Sequence, residues 1–215
     1  MTYGATHPAH LMPSPFRYDL KLWLASRGRE RAFRERQLDL ARIATGEAVL
    51  DVGCGTGTLA IAAARRVGAT GAVTGVDPSA ELLARARKKA RRAHVAVTLE
   101  TAGGESLPFP DGSFDVVLSS LVFHHLSHAA LRSSALEMRR VLKPGGRLLI
   151  VDIGGPQEEG RPTMHAPHGR HVPFDLDAVA ARLPNHGLEV VETGPIESGM
   201  RRLERLRYVL ASAES

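Results

Sequence analysis

Cysteine is almost missing from this chain: Cys54 is the only one in 215 residues. An internal disulfide and any metal site built on a cysteine cluster are thereby excluded. Long apolar runs are missing too, and none approaches the ~20 residues a bilayer-spanning helix needs. The opening residues Met1-Thr2-Tyr3-Gly4-Ala5-Thr6-His7-Pro8 have neither the basic start nor the apolar middle of a secretory signal, so a cytoplasmic protein is expected. Lysine is scarce (Lys21, Lys88, Lys89 and Lys143), and the net charge of +5 is carried by arginines scattered among many alanines. That pattern reads as a compositional bias more than a binding face. The densest run, Arg85-Ala86-Arg87-Lys88-Lys89-Ala90-Arg91-Arg92, falls on a predicted helix that should mostly face water, far from the active end; nucleic acid is not the expected partner.

What is present suits one soluble domain, since 215 residues at 43% hydrophobic composition can close a full core. Residues 1–16 carry several Pro, His and Gly without periodicity and read as a loose arm. Helical patterning begins at Tyr18, with Leu20, Leu22, Trp23 and Leu24, and resumes through Phe33, Leu38, Leu40, Ala41 and Ile43. Residues 1–45 are therefore expected to form an arm and helices covering a site on a main domain of 46–215. Within that domain strands are expected at 49–52, 72–77, 95–100, 114–118 and 147–152. Helices are expected from the central loop to about 67, from 78 to about 92 and over 129–141, with a turn at 143–146. Strands apolar throughout argue for a parallel sheet covered on both faces, and right-handed crossovers make it doubly wound. Residues 154–174, rich in Gly, Pro and His, have the length of a lid-like loop. A short helix at 177–183 precedes strands at 188–193 and 206–211, which suit an antiparallel hairpin at the sheet edge. The expected fold is α/β, a mostly parallel doubly wound sheet of seven strands with helices on both faces.

The chain is organised around Val49-Leu50-Asp51-Val52-Gly53-Cys54-Gly55-Thr56-Gly57-Thr58-Leu59-Ala60. An apolar strand end, glycines at every second position and a helix start bring backbone N–H groups and a positive dipole end to one point. A missing Cβ lets a ligand approach that backbone closely. A carboxylate about 20 residues on, Asp77, accepts from both hydroxyls of a ribose in such sites, and it also precedes Pro78 at a helix start, where it would serve as N-cap. His165, His168 and His171 recur at every third position, but Pro and Gly surround them and no partner ligand is evident, so no metal is expected.

Four blocks then carry a resemblance. Asp51-Val52-Gly53-Cys54-Gly55-Thr56-Gly57, Val76-Asp77-Pro78-Ser79, Leu107-Pro108-Phe109-Pro110-Asp111-Gly112-Ser113-Phe114-Asp115-Val116-Val117 and Leu142-Lys143-Pro144-Gly145-Gly146-Arg147-Leu148 follow in this order. Together they resemble the Rossmann-like (class I) S-adenosylmethionine-dependent methyltransferases, in their ubiquinone/menaquinone-biosynthesis-like "type 11" subgroup. The resemblance implies S-adenosylmethionine as cofactor and a small-molecule or lipid-like methyl acceptor. It implies that Gly53, Gly55 and Gly57 approach the cofactor's amino-acid portion, that Asp51 anchors its amino group and that Asp77, with Pro78, holds the ribose. Where the family often has an Asp against adenine, this chain has Gly103, so the adenine amino group lacks that carboxylate unless Glu105 substitutes from two residues on; backbone groups of Gly104 and Glu105 can still pair with the ring edge. Ser119 opens the loop near the sulfonium and the acceptor, and His124 or His125 on that loop would serve as base if the acceptor must lose a proton. Tyr18 and Trp23, on helices that cover the cofactor in related enzymes, offer a ring to the sulfonium. Two alternatives are open: an NAD-dependent oxidoreductase, because residues 55–60 also satisfy G-x-G-x-x-[GA], and a non-catalytic nucleic-acid-associated module on the same fold.

Overall fold

The computed structural model describes residues 29–154, 174–199 and 205–214. The predicted helix from Tyr18, with Trp23, the three loop histidines and most of the lid-like stretch lie outside the described residues. The first described element is α1 (Glu30–Leu40), followed by β1 (Ala48–Val52), α2 (Thr58–Val67), β2 (Ala72–Val76) and α3 (Ala80–Arg92). Then come β3 (Thr98–Glu100), β4 (Phe114–Ser120), a single 3-10 turn (Phe123–His125), α4 (His128–Val141) and β5 (Leu142–Ile153). A short α5 (Leu176–Ala180), a second 3-10 turn (Leu183–His186), β6 (Leu188–Pro195) and β7 (Leu206–Ala213) complete the order.

The strands form one seven-stranded sheet in the order β3-β2-β1-β4-β5-β7-β6. The first five are parallel; β7 runs antiparallel to β5, and β6 antiparallel to β7. Alternation along the strands explains why they read as apolar throughout. Val49, Val116, Leu118, Leu149 and Val151 point to one face, against Phe33 and Leu38 of α1 and Leu59, Ala63 and Val67 of α2. Leu50, Val117, Leu148 and Ile150 point to the other, against Ala135, Met138 and Val141 of α4 and Leu176 of α5. Each face needs its own apolar cover, so neither set of positions tolerates polar residues. Among the described residues, no helix is long and apolar enough to cross a membrane.

β4, β6 and β7 each run two residues past the expected end, and three larger departures stand out. β3 starts at Thr98, three residues late, because only Thr98, Leu99 and Glu100 find partners on β2. The expected turn at 143–146 lies within β5: pairing shifts from Phe114↔Leu142 to Val116↔Arg147, and the intervening residues bulge out with Gly145 at φ +69°. The helix expected at 177–183 stops at Ala180.

Two of the four sequence blocks serve as framework. Asp115 accepts the Ala48 N–H at 2.8 Å and pairs with Lys143 at 2.8 Å, tying the start of β1 to the bulge within β5. Arg140 binds the carbonyls of Leu107 (3.0 Å) and Phe109 (2.7 Å) and the Asp111 carboxylate, while Glu137 accepts the Leu107 N–H. The remaining two blocks meet at the carboxyl ends of β1 and β2.

Candidate active site

In a parallel sheet a ligand binds beyond the carboxyl ends of the strands, where the crossovers diverge. Here that place lies between β1 and β4, neighbours in the sheet though not in sequence. The glycine loop after β1 is pinned to the end of β2: Gly53 and Cys54 both donate their N–H to the Val76 carbonyl, at 2.8 and 2.9 Å. Gly53 and Gly55 take φ of +73° and +54°, a region costly for any residue with a Cβ. A Cβ on Gly53 would come within 2.4 Å of Val122, which packs on the loop from the β4 side, whereas a Cβ on Gly55 would meet nothing within 4 Å. Gly55 thus presents bare main chain to a cleft lined also by Arg34, Asp51, Thr56 and Ser120. Gly57 has another function, since a Cβ there would strike Ala86 of α3 at 2.9 Å; its absence lets α2 and α3 pack closely.

Asp51 and Asp77 stand at the same end of the sheet, as β1 and β2 run parallel with Asp51 opposite Gly75. Asp77 accepts the Gly55 N–H and the Ser79 N–H, each at 2.9 Å. The expected N-cap role passes to Ser79, whose hydroxyl accepts from Leu82 at the start of α3. Burial pushes the Asp77 carboxyl above the usual carboxylate range, against the pull of those two N–H groups. Asp51 is 2% exposed, and among the described residues its Oδ2 has no hydrogen-bond partner. Burial raises its carboxyl to about 7, opposed by the Arg34 guanidinium and the Ala60 N–H and reinforced by the nearby Asp77 charge. A dry carboxylate with an idle oxygen, beside open main chain, is shaped for a cation.

Arg34 is the site residue that sequence reasoning missed. It leaves α1, runs beside Asp51 and donates to Ser120 Oγ at 3.2 Å. The available signal was helical spacing: positions 33, 34, 37 and 38 form the buried stripe of α1, and an arginine on such a stripe is unusual. On β4 the cleft is lined by Ser120; Ser119, the residue expected there, is buried with its hydroxyl unpartnered among the described residues. Beyond β3, a Cβ on Gly103 would lie 2.6 Å from Glu105 Oε2, so the Glu105 carboxylate fills the place a side chain at 103 would take. Ser134 Oγ faces Gly104 in the same way, at 2.9 Å from its missing Cβ.

Comparison with known proteins agrees with this arrangement. A methyltransferase-domain family model matches residues 49–146. The ubiquinone/menaquinone biosynthesis C-methyltransferase UbiE of Enterobacter sp. (strain 638) is 36% identical over 175 residues, covering 80% of this chain and 67% of that protein. Its counterpart from Pseudomonas putida strain F1 is 39% identical over 144 residues, covering 65% of this chain. The chain belongs to the class I S-adenosylmethionine-dependent methyltransferases of the UbiE type.

The chain spans 55% of the length of the Pseudomonas relative. Among solved structures, a SAM-dependent methyltransferase from Aquifex aeolicus superposes with a TM-score of 0.72 at 23% identity, covering 94% of this chain and 99% of that one. The [4+2]-cyclase SpnF superposes with a TM-score of 0.71 at 21% identity, covering 86% and 80%. Likeness at that identity shows the fold alone. S-adenosylmethionine is the cofactor of the family, and the residues present fit it: an idle buried carboxylate oxygen for its ammonium group, open main chain at Gly55 and a carboxylate at the end of β2.

Across the cleft, the segment after β4 holds two histidines. His124 Nδ1 lies 2.7 Å from Asp152 Oδ1, at the end of β5, and its ring centroid is 3.8 Å from that of His125, the two planes tilted by 44°. Burial, then the neighbouring His124, lowers His125 to about 4, so it is neutral at physiological pH. The basic run on α3 mostly faces solvent, as expected, but Lys89 turns back to the loop and donates to Thr56 Oγ1 at 3.0 Å and Thr58 Oγ1 at 2.6 Å. Among the described residues, no group of three or more His, Cys, Asp or Glu is placed to hold a metal.

Proposed function

We propose that the chain transfers the methyl group of S-adenosylmethionine to a ring carbon of a small, lipid-like hydroquinone. The observation that carries the donor half is Asp51: buried, without a partner at Oδ2 among the described residues, and pushed up by burial to about 7. An ammonium group against that oxygen supplies the missing partner and draws the carboxyl back to its charged form. In this reading Gly53, Gly55 and Gly57 shape the main chain that receives the amino-acid portion, and Arg34 faces its carboxylate. Asp77 and Pro78 hold the ribose, Gly104 and Glu105 edge the adenine, and Ser119 helps form the wall near the sulfonium. The acceptor half is supported by the names of the UbiE relatives, which methylate carbon in quinone biosynthesis. Residues 1–45 belong to this proposal as the cover of a domain comprising 46–215, with Tyr18 set toward the sulfonium; Arg34, delivered by α1 into the cleft, supports that division.

Calorimetric titration with S-adenosylhomocysteine and, separately, NAD tests the donor half. Binding of the former alone is expected, and binding of NAD alone overturns it. Incubation with labelled S-adenosylmethionine and a prenylated 1,4-naphthohydroquinone then tests the acceptor, with the label expected on a ring carbon. Label recovered only on oxygen or nitrogen, or on other compounds of a cell extract, rejects this acceptor.

A further inference from the structure

The pair at the ends of β4 and β5 is used by none of the donor contacts above, and its bonding is unusually complete on one side and empty on the other. Asp152 is fully buried. Its Oδ1 accepts the Ile153 N–H at 2.7 Å, and its Oδ2 accepts those of Phe123 at 2.8 Å and His124 at 3.3 Å. Backbone N–H groups only donate, so both Asp152 oxygens act as acceptors, and the geometry assigns the 2.7 Å contact at Oδ1 to an Nδ1–H donor on His124. The lone pair of the neutral ring is therefore on Nε2. That nitrogen is buried in a side chain 8% exposed and, among the described residues, has no hydrogen-bond partner. A buried polar atom left this way costs free energy, and a reactive role is one reason a native protein keeps one. The segment that carries it borders the donor site. Val122, two residues earlier, rests on Gly53 of the donor loop, and Ser120, four residues earlier, lines the donor cleft.

We propose that His124 is the general base of methyl transfer, presented through Nε2, and that Asp152 is the positioning residue that holds it in the Nδ1–H tautomer. The inference rests on the methyltransferase reading and narrows its acceptor class: the acceptor carries an acidic hydroxyl conjugated to the atom methylated. As the ring carbon bonds to the methyl group, the electron pair of the broken carbon–sulfur bond stays on sulfur, and the hydroxyl proton passes to Nε2. The hydrogen of the methylated carbon then returns to the ring oxygen, restoring the aromatic hydroquinone, and His124 gives its proton to water. The imidazolium is compensated by Asp152, and the adjoining neutral His125 adds no opposing charge.

Two measurements decide this. Nitrogen-15 NMR of the whole chain with S-adenosylhomocysteine should show His124 protonated at Nδ1 and bare at Nε2, a state lost in Asp152→Asn; a proton resting on Nε2 overturns the proposal without requiring any variant to fold. With the prenylated 1,4-naphthohydroquinone as acceptor, His124→Gln should lower kcat about 100-fold, leaving S-adenosylhomocysteine affinity in place. That loss should shrink for a hydroquinone bearing electron-withdrawing chlorines, which ionises without help. A kcat for His124→Gln within about threefold of the parent, or a loss indifferent to acceptor acidity, also overturns it. If the parent enzyme binds S-adenosylhomocysteine yet never methylates the hydroquinone, the acceptor reading has failed, and the NMR tautomer alone upholds or rejects the dyad.

Discussion

At the ends of β1 and β2 bare main chain stands beside two carboxylates, whereas at the ends of β4 and β5 the polar groups are side chains alone. Gly53 and Cys54 hang on one carbonyl of β2, and Asp77 reaches back across 22 residues to the Gly55 N–H. On the far side His124 is held by Asp152, and Ser120 by Arg34 from 86 residues away. Main chain recognises what every substrate of the family shares, the donor; side chains vary at little cost to the fold and can suit an acceptor peculiar to one enzyme. Each side holds a buried atom unpartnered among the described residues, Asp51 Oδ2 on one and His124 Nε2 on the other. Left-handed backbone is carried without strain by glycines on the donor side, but by Leu121, at φ +62°, after β4.

The sharpest way to break the donor side is Gly53→Ala, which adds left-handed strain and drives a methyl into Val122. A stability loss of about 3 kcal/mol is expected by chemical denaturation. Adding Val122→Ala should recover the packing part alone, and full recovery would show that backbone strain is absent. Next, Asp77→Ala should weaken S-adenosylhomocysteine binding by roughly 1–3 kcal/mol, because the Gly55 and Ser79 N–H groups lose their acceptor along with the ribose. Unchanged affinity would remove Asp77 from the donor site. Gly55→Ala is milder for the free protein, about 1 kcal/mol, since its Cβ meets open space. Donor affinity should fall by more than stability does, and equal losses would mean the donor does not occupy that space.

The smallest effect is in protons. Asp51 titrates near 7 when folded, above its ordinary 3.8, so the folded state holds a proton that the unfolded chain has lost. Its contribution to stability is complete below about pH 4 and is lost as pH rises to 7. Donor binding should release about half a proton at pH 7, read by calorimetry in buffers of different ionisation enthalpy. The release should vanish in Asp51→Asn. His125 works the other way: its lowered value of about 4 means stability lost as pH falls from 6.5 to 4, on the acceptor side.

The meeting of the donor-side residues at one end of the sheet was legible because it is local. Asp51, three glycines and Asp77 sit at spacings that a strand, a turn and a crossover helix impose, so the sequence brings them together before any contact is known. The β5 start was misread because Pro144 and two glycines look like a turn, and only pairing with β4 shows that they bulge within a strand. The Glu105 carboxylate lies where a side chain at Gly103 would start, a placement that only the folded loop reveals.

By itself the chain's pattern of apolar runs and glycines determined the alternation of strands and helices, the sheet's two covered faces and the donor loop, because each depends on neighbours a few bonds away. Only the tertiary structure decided that Arg34 lies beside Asp51, that Asp152 holds His124 and that Asp51 titrates near 7. Those are properties of residues brought together from distant strands and of the water excluded between them, and neither exists until the sheet has closed.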